Sequence, residues 1–554
     1  MKKHTQMRVH SKFSMMILVL LVLNLTLSAC TSTPIAAPPS ATANAGRLAA
    51  TAEPASTAAN SSPTDPEKKE IDVLKIGMTS LPSVLDPNLS NANTVLRFVD
   101  NIYDTILGYD EDGNIICVLA ESYKWVDDYT LEVKLKDGIT FQNGYPLTAE
   151  DVKFTFDRIK TGVNGITPVQ AGLFVNLESV EVVDKLTVRF KNAIVDTILL
   201  DRLANKYSTC VIPKKYVEEV GEEAFAAKPI GTGPFAIVSM APEKIVLERY
   251  DGFWGEKPYV KRLEFLLFNE AASRYSALAS GEIDIMQDVT TDLRTTIAST
   301  KGVHLVGVAV ELFHFLVFKT TGEGPIGNPK FRQALACAID RQSLVDALWG
   351  EYAYVPKGMQ WDSFGDMLIT DYEGMITYDV ERAKRLLAES GYNGEQIELS
   401  IDPNYYTNSK DACEAIISMW AKIGVNAQLI PVSGWSLVNI KDCSMWSGAS
   451  RFNNVAGHLG TNWTDKLTTV TQVLWVDQPQ DYLDLITNVL PAQRDLQEQR
   501  ATSKKILEIF DSYLPALPLY SIDECYGVRD GLHWNPYHGK QMSIPFRAEV
   551  FWAE

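Results

Sequence analysis

Residues 129–136 (YTLEVKLK) alternate apolar and polar side chains, the period-2 pattern of a strand with one buried face. Asp137-Gly138 supplies a turn, and Ile139-Thr-Phe141 predicts the returning arm of a hairpin. The period changes at Thr148-Ala-Glu-Asp151, a capping box after which Val152, Phe156 and Ile159 share one side of a helix. Asn328-Pro329, a cap followed by proline at the first helical position, opens a second helix with Phe331, Leu335, Ala338 and Ile339 on one face. Asp379 caps a third, with Val380, Ala383, Leu386 and Leu387 inward and Gly391 at its close. Ala271–Ser280 reads as a helix ended by Gly281 before a strand at Ile283–Met286, and the strand Ile397–Ile401 precedes a helical run Ala412–Lys422. This alternation through 260–520 predicts mixed α/β units, and no segment repeats at a fixed period.

Residues 1–29 stand apart from this patterning. Lys2, Lys3, Arg8 and Lys12 are followed by the unbroken apolar run Met15–Leu23, the plan of an export signal and too short for a stop-transfer helix. Leu27-Ser28-Ala29-Cys30 is similar to a bacterial lipobox, which predicts Cys30 as a lipid anchor; the alternative is an ordinary secretory signal with a chance cysteine. In Thr31–Pro66, 28 of 36 residues are Ala, Ser, Thr or Pro, a composition that cannot bury a core and predicts a tether. The globular part is expected to start near Ile71.

At about 150 residues per domain, 554 residues predict roughly three units. The 69 acidic against 51 basic side chains give a net charge of −18, which argues against nucleic acid or an anionic membrane surface as a partner. Six cysteines follow Cys30, at 117, 210, 337, 413, 443 and 525. Export permits disulfides in any of about 15 pairings, free buried thiols read equally well, and the spacing suits no zinc site. Gly322-Glu-Gly-Pro-Ile-Gly327 has the glycines of a phosphate loop but Asn328 where its lysine should be. Asp110-Glu-Asp112-Gly113 reads as a β-turn rather than a calcium loop. His304, His314, His458, His533 and His538 show no ligand spacing. No catalytic motif is present and no cofactor is expected, although two glycosidase carboxylates could assemble in space from distant positions.

Tyr129–Ile159, Pro229–Phe235 (PIGTGPF) with Tyr250–Gly255, Ala277–Ile285 (ALASGEIDI), Phe331–Arg341 (FRQALACAIDR) and Tyr378–Tyr392 (YDVERAKRLLAESGY) resemble, in order, blocks of the family 5 extracellular solute-binding proteins of ABC importers. The resemblance runs from about Ile71 to the end. It implies an α/β, two-lobed fold of the type II periplasmic-binding-protein kind, with an inserted subdomain and a hinged cleft. Lobe I would take 71–100, 229–311 and 509–554, with 101–228 inserted; lobe II would take 312–508. The hinge would lie near Leu312–Lys319 and Ile506–Pro518. It further implies a monomeric binding lipoprotein, not an enzyme, on the outer face of the cytoplasmic membrane, held by the lipid on Cys30 and handing its solute to permease subunits. The solute would be an oligopeptide, or alternatively an oligosaccharide. A tethered glycan hydrolase and a signalling lipoprotein remain other readings.

In peptide-binding members a Trp-x-x-Asp-Tyr block sets an aspartate against the peptide's α-amino group. Here the matching stretch is Trp446–Asn454, with Ala449 in the aspartate's place, Arg451 nearby and Asp442 as an out-of-register substitute. Trp420 reads as core. Trp446 and Trp435, in loop-like sequence, Arg451, and Tyr405 after the strand Ile397–Ile401 are the ligand-binding candidates. Asp86 and Asn88, after the first strand, are weaker ones.

Overall fold

The computed structural model describes residues 68–88, 93–110, 113–164, 168–206, 209–402, 408–432, 440–450, 452–464, 470–535 and 544–554. Mixed α/β structure, as the patterning predicts, is built on one eleven-stranded sheet. On one side of its middle stand Ile285–Gln287, Leu74–Met78, Arg262–Leu267, Lys244–Arg249 and Phe235–Ala241; on the other stand Cys443–Ala449, Ile397–Ile401 and Ala427–Pro431. Two long strands, Val303–Phe318 and Ala516–Arg529, join these halves and pair with each other antiparallel. Their ladder runs from Val303 opposite Arg529 to Ala309 opposite Asp523, breaks register, and resumes at Phe313 opposite Ser521. Every residue of 516–528 is buried, so this strand shows no alternation of buried and exposed positions, and the run takes Ser521, Asp523 and Glu524 into the interior with its apolar residues.

Each half covers its sheet with helices. In the first, Asn93–Ile102 packs on one face through Phe98 against Phe265 (ring centroids 4.5 Å apart), while Ala271–Ser280 and Thr291–Ser299 cover the other. In the second, Pro329–Cys337 and Ser409–Lys422 lie on one face, and Trp420, fully buried as core, donates from its indole nitrogen to Leu335 O at 2.9 Å. The opposite face holds Phe313, Phe315, Trp361, Trp463, Trp475 and Phe510. The caps at Asn328 and Asp379 form as expected, accepting from Lys330 N (3.0 Å) and Arg382 N (2.8 Å).

Between Ile106 and Ile230 the chain builds a separate apolar core under a four-stranded antiparallel sheet. Thr148 donates from its backbone nitrogen and its hydroxyl to Asp151 (2.8 and 2.9 Å), starting the helix Ala149–Thr161. The expected hairpin does not form: Thr130–Leu135 pairs with Ala120–Trp125 and Thr187–Asn192, whereas Thr140 makes a single bridge to Pro146. Alternation marks a half-buried strand but carries no information about its partner. The small sheet is anchored by Arg158, whose guanidinium holds Asp86 (3.0 and 2.5 Å) and Glu222 (2.6 Å).

All six cysteines from Cys117 to Cys525 are free thiols, five of them buried. The strand expected at Ile283–Met286 is displaced to Ile285–Gln287. Asp110 accepts from Asn114 N at 2.8 Å between the antiparallel strands Leu107–Tyr109 and Ile115–Cys117; Glu111 and Asp112 of the expected turn lie outside the described residues.

Candidate functional site

Ile397–Ile401, Ala427–Pro431 and Cys443–Ala449 are neighbouring parallel strands, so their C-terminal ends share one edge. The last of them ends at Ala449 opposite Leu312, beside the register break in the crossing strands. Ligands of open α/β sheets bind outside the carboxyl ends of strands, where backbone ends and loops leave a crevice. Tyr405, Trp435 and Arg451 each follow one of these three ends in the chain; all three lie outside the described residues, as does Cys30.

Trp446 lies on the strand Cys443–Ala449 and not in the loop its Gly and Ser neighbours suggest. It stands opposite Phe315 in the ladder and packs half-buried against the rings of Phe315 (5.8 Å) and Trp463 (6.0 Å). Its inner side is held by the aromatic core, and its outer part is accessible. Ala449 is half-buried and adds no charge.

Asp442 is not a free carboxylate: it is buried and accepts from Glu398 N at 2.9 Å. Burial raises its pKa against that hydrogen bond. Asp86 and Asn88 are likewise internal, fully buried and bonded to Arg158, with Asn88 also donating to Cys210 O (3.2 Å). They fasten the inserted unit and turn no polar atom outward. His314 is buried and its pKa is pushed down to about 3, so it stays neutral. Among the described residues no three His, Cys, Asp or Glu are grouped to hold a metal, and no helix is long and apolar enough to cross a membrane.

Opposite the crossing strands, the inserted unit touches the second half. Thr197 donates from its backbone nitrogen to Pro491 O (2.8 Å) and from its hydroxyl to the same oxygen (2.9 Å). Asn453 Nδ2 donates to Gly113 O (3.2 Å), and Arg494 pairs with Asp128 (2.9 Å). Gly113 is required at this contact: its φ is +86°, and a Cβ there would stand 2.4 Å from Ser363 O. Phe452 inserts into the core of the small sheet, and Ile198 into the aromatic core of the second half. Asp201, bonded to Tyr109 and Asn454, is pushed up to about 6 by burial. The last of the three strand ends thus lies beside the register break of the crossing strands, and Phe452 and Asn453, a few residues further along the chain, take part in this contact. Gly113 and Phe452–Asn454 lie in stretches the sequence singled out for other reasons, but their meeting, and the parts of Thr197, Ile198 and Arg494, left no local signal because the partners are distant in the chain.

The family model "Bacterial extracellular solute-binding proteins, family 5 Middle" matches residues 114–472, more than half of the chain. Glutathione-binding protein GsiB of Shigella flexneri is 27% identical over 356 residues, covering 63% of this chain and 67% of that protein. Among solved structures, the ABC transporter substrate-binding protein CtaP of Listeria monocytogenes superposes with a TM-score of 0.76 at 22% identity, covering 88% of this chain and all of that one. The periplasmic binding protein DppA of Helicobacter pylori, in complex with the peptide STSA, superposes at 0.72 and 20% identity, covering 88% and 99%. The fold is that of the type II periplasmic binding proteins, and the chain belongs to the bacterial extracellular solute-binding proteins of family 5, binding components of ABC importers that work outside the cytoplasm.

Proposed function

We propose that this protein is a lipid-anchored receptor that captures a short peptide between two closing lobes and delivers it to an ABC permease. The observation that carries the cargo class is the half-exposed Trp446 beside the shared strand ends, an aromatic face able to stack on a side chain or a planar bond. Relatives that bind glutathione or a peptide support the same class. On this reading the lobes are those of the boundaries expected from the sequence, and the register shifts between Ala309 and Phe315 support a turn between them there. Solute then stabilises the closed form only by the difference in its affinity for closed and open states. The leader 1–29, Cys30 and the tether supply the anchor, and the body works as a monomer.

Native mass spectrometry of the protein as purified tests the cargo. Co-purified peptide masses are expected. Hexose-spaced masses would replace peptide by oligosaccharide, the reading favoured by Ala449 in place of an ammonium-binding acid. The anchor is tested by Cys30→Ala, which should release the protein from membranes.

A further inference from the structure

We propose that Arg294 is the residue that recognises a carboxylate of the solute, in a subsite where the two halves and the crossing strand Ala516–Arg529 meet. The inference rests on the reading of the chain as a solute receptor.

The subsite follows from how that strand changes partners. Its edge facing away from Val303–Phe318 pairs with Ala353–Tyr354 of the second half at Ile522 and Ser521, and with Ile285–Gln287 of the first half at Val528 to Tyr526. Asp523 lies in the interval between these pairings. The helix Thr291–Ser299 begins just after Ile285–Gln287, at the C-terminal end of a strand parallel to Leu74–Met78. It places Arg294 in this interval, with the guanidinium 4.1 Å above the ring of Tyr352, which belongs to the second half.

Arg294 is only 2% exposed, and none of its three side-chain nitrogens has a hydrogen-bond partner among the described residues. The hydroxyl of Thr290, one helical turn back, is buried and unpartnered in the same way. A buried guanidinium without acceptors is costly, since its donors have lost water and gained nothing. Burial lowers its pKa to about 10, which leaves it charged at neutral pH. Two acids, Asp523 and Asp288, act on its charge; Asp523 is 4% exposed, and burial pushes it up to about 7 against the attraction of Arg294. Arg294 and Asp523 form no ion pair, so the fork of donors and the carboxyl remain available to a third group.

Arginine's planar fork matches a carboxylate bidentately. Asp523 beside it accepts from an ammonium or hydroxyl on the same end of a solute. The class best matched is therefore a solute with an amino-acid-like end bearing both carboxylate and ammonium. Since Arg294 and Tyr352 come from different halves, such an end would be held by both when they close.

The test compares wild type with Arg294→Gln and Arg294→Met. Di- to pentaalanine are titrated calorimetrically as free acids and as C-terminal amides, and melting temperature is followed with sodium acetate against sodium chloride at equal ionic strength. Free acids are expected to bind wild type at least tenfold tighter than amides, with the difference lost in both variants. Ligand-free Arg294→Met should melt no lower than wild type, because it removes an uncompensated buried charge. Equal binding of acids and amides would overturn the subsite and leave the receptor reading intact. If no peptide binds but acetate raises the wild-type melting temperature and not that of Arg294→Gln, the peptide reading falls and the carboxylate subsite stands. No response to either probe, or a large drop in the melting temperature of Arg294→Met with the acid preference retained, would overturn the proposal.

Discussion

The two halves meet twice, and the meetings are unlike. Along the crossing strands they share continuous backbone, a ladder of main-chain hydrogen bonds and side chains buried on both faces. At the opposite contact they share a few bonds from Thr197, Asn453 and Arg494, with one apolar side chain inserted in each direction. The first joint cannot separate without unfolding, because every broken ladder bond would leave a buried polar group unsatisfied. The second can separate, because its polar groups can turn to water. The first joint carries two register shifts, between Ala309 and Phe313 and between His314 and Phe315, where its ladder is locally interrupted, and the difference teaches which joint the proposed closure would have to bend and which it could open.

The largest effect that would sharpen this contrast is expected at Phe315, 1% exposed on a crossing strand and packed on Phe313, Trp446 and Trp463. Phe315→Ala should lower unfolding stability by about 3–5 kcal/mol in urea titration, the usual cost of deleting a buried ring; a loss under about 1 kcal/mol would mean that the joint is not packed as described. Next comes Asp523 on the other crossing strand. With its pKa raised from an ordinary 3.8 to about 7 when folded, the folded state binds the extra proton. Stability should be greatest below about pH 4 for this group and fall by up to about 1.4 kcal/mol per pH unit as pH rises towards 7. Asp523→Asn should flatten that slope in melts between pH 4 and 7; an unchanged slope would place the titration elsewhere.

Trp446→Ala should weaken binding of the co-purified solute at least tenfold, or ~1.4 kcal/mol, with little change in the ligand-free melting temperature. Unchanged affinity, or a large loss of apo stability, would assign Trp446 to the core alone. The smallest effect belongs to Arg494→Ala. Its partner Asp128 is mostly exposed, so less than about 1 kcal/mol is at stake and salt should erase it. X-ray scattering at low salt should show a modestly larger radius of gyration for the ligand-free variant; a cooperative loss of fold would break the distinction between the two joints.

Elements with local signatures were legible from the chain. The capped helices at Thr148, Asn328 and Asp379 form because capping and apolar spacing lie within a few residues of one another. Ile397–Ile401 is a strand with the expected ends. Pairing was not legible: Thr130–Leu135 chose partners ten residues before it and more than fifty after it. Trp446 read as loop because Ser and Gly surround it, yet the neighbouring ladder with Phe315 imposes extended backbone. Asp86 and Asn88 looked like loop carboxylate and amide, and proved to be partners of Arg158, an association no spacing announces. Arg294 left a faint trace, since it lies three residues before Ile297 and so on the buried face of its helix, a position where a charge is unusual.

From sequence alone came the α/β class, the family blocks and the reading of 1–66 as leader and tether, all of which depend on composition or on spacing within a few residues. Tertiary structure decided that the six thiols stay free, that Trp446 stands half-buried on a strand, and that Arg294, Tyr352 and Asp523 meet although they are distant in the chain. The reason is physical: caps and periodicity act through neighbouring residues, whereas a site between two halves exists only where the crossing strands bring remote segments together.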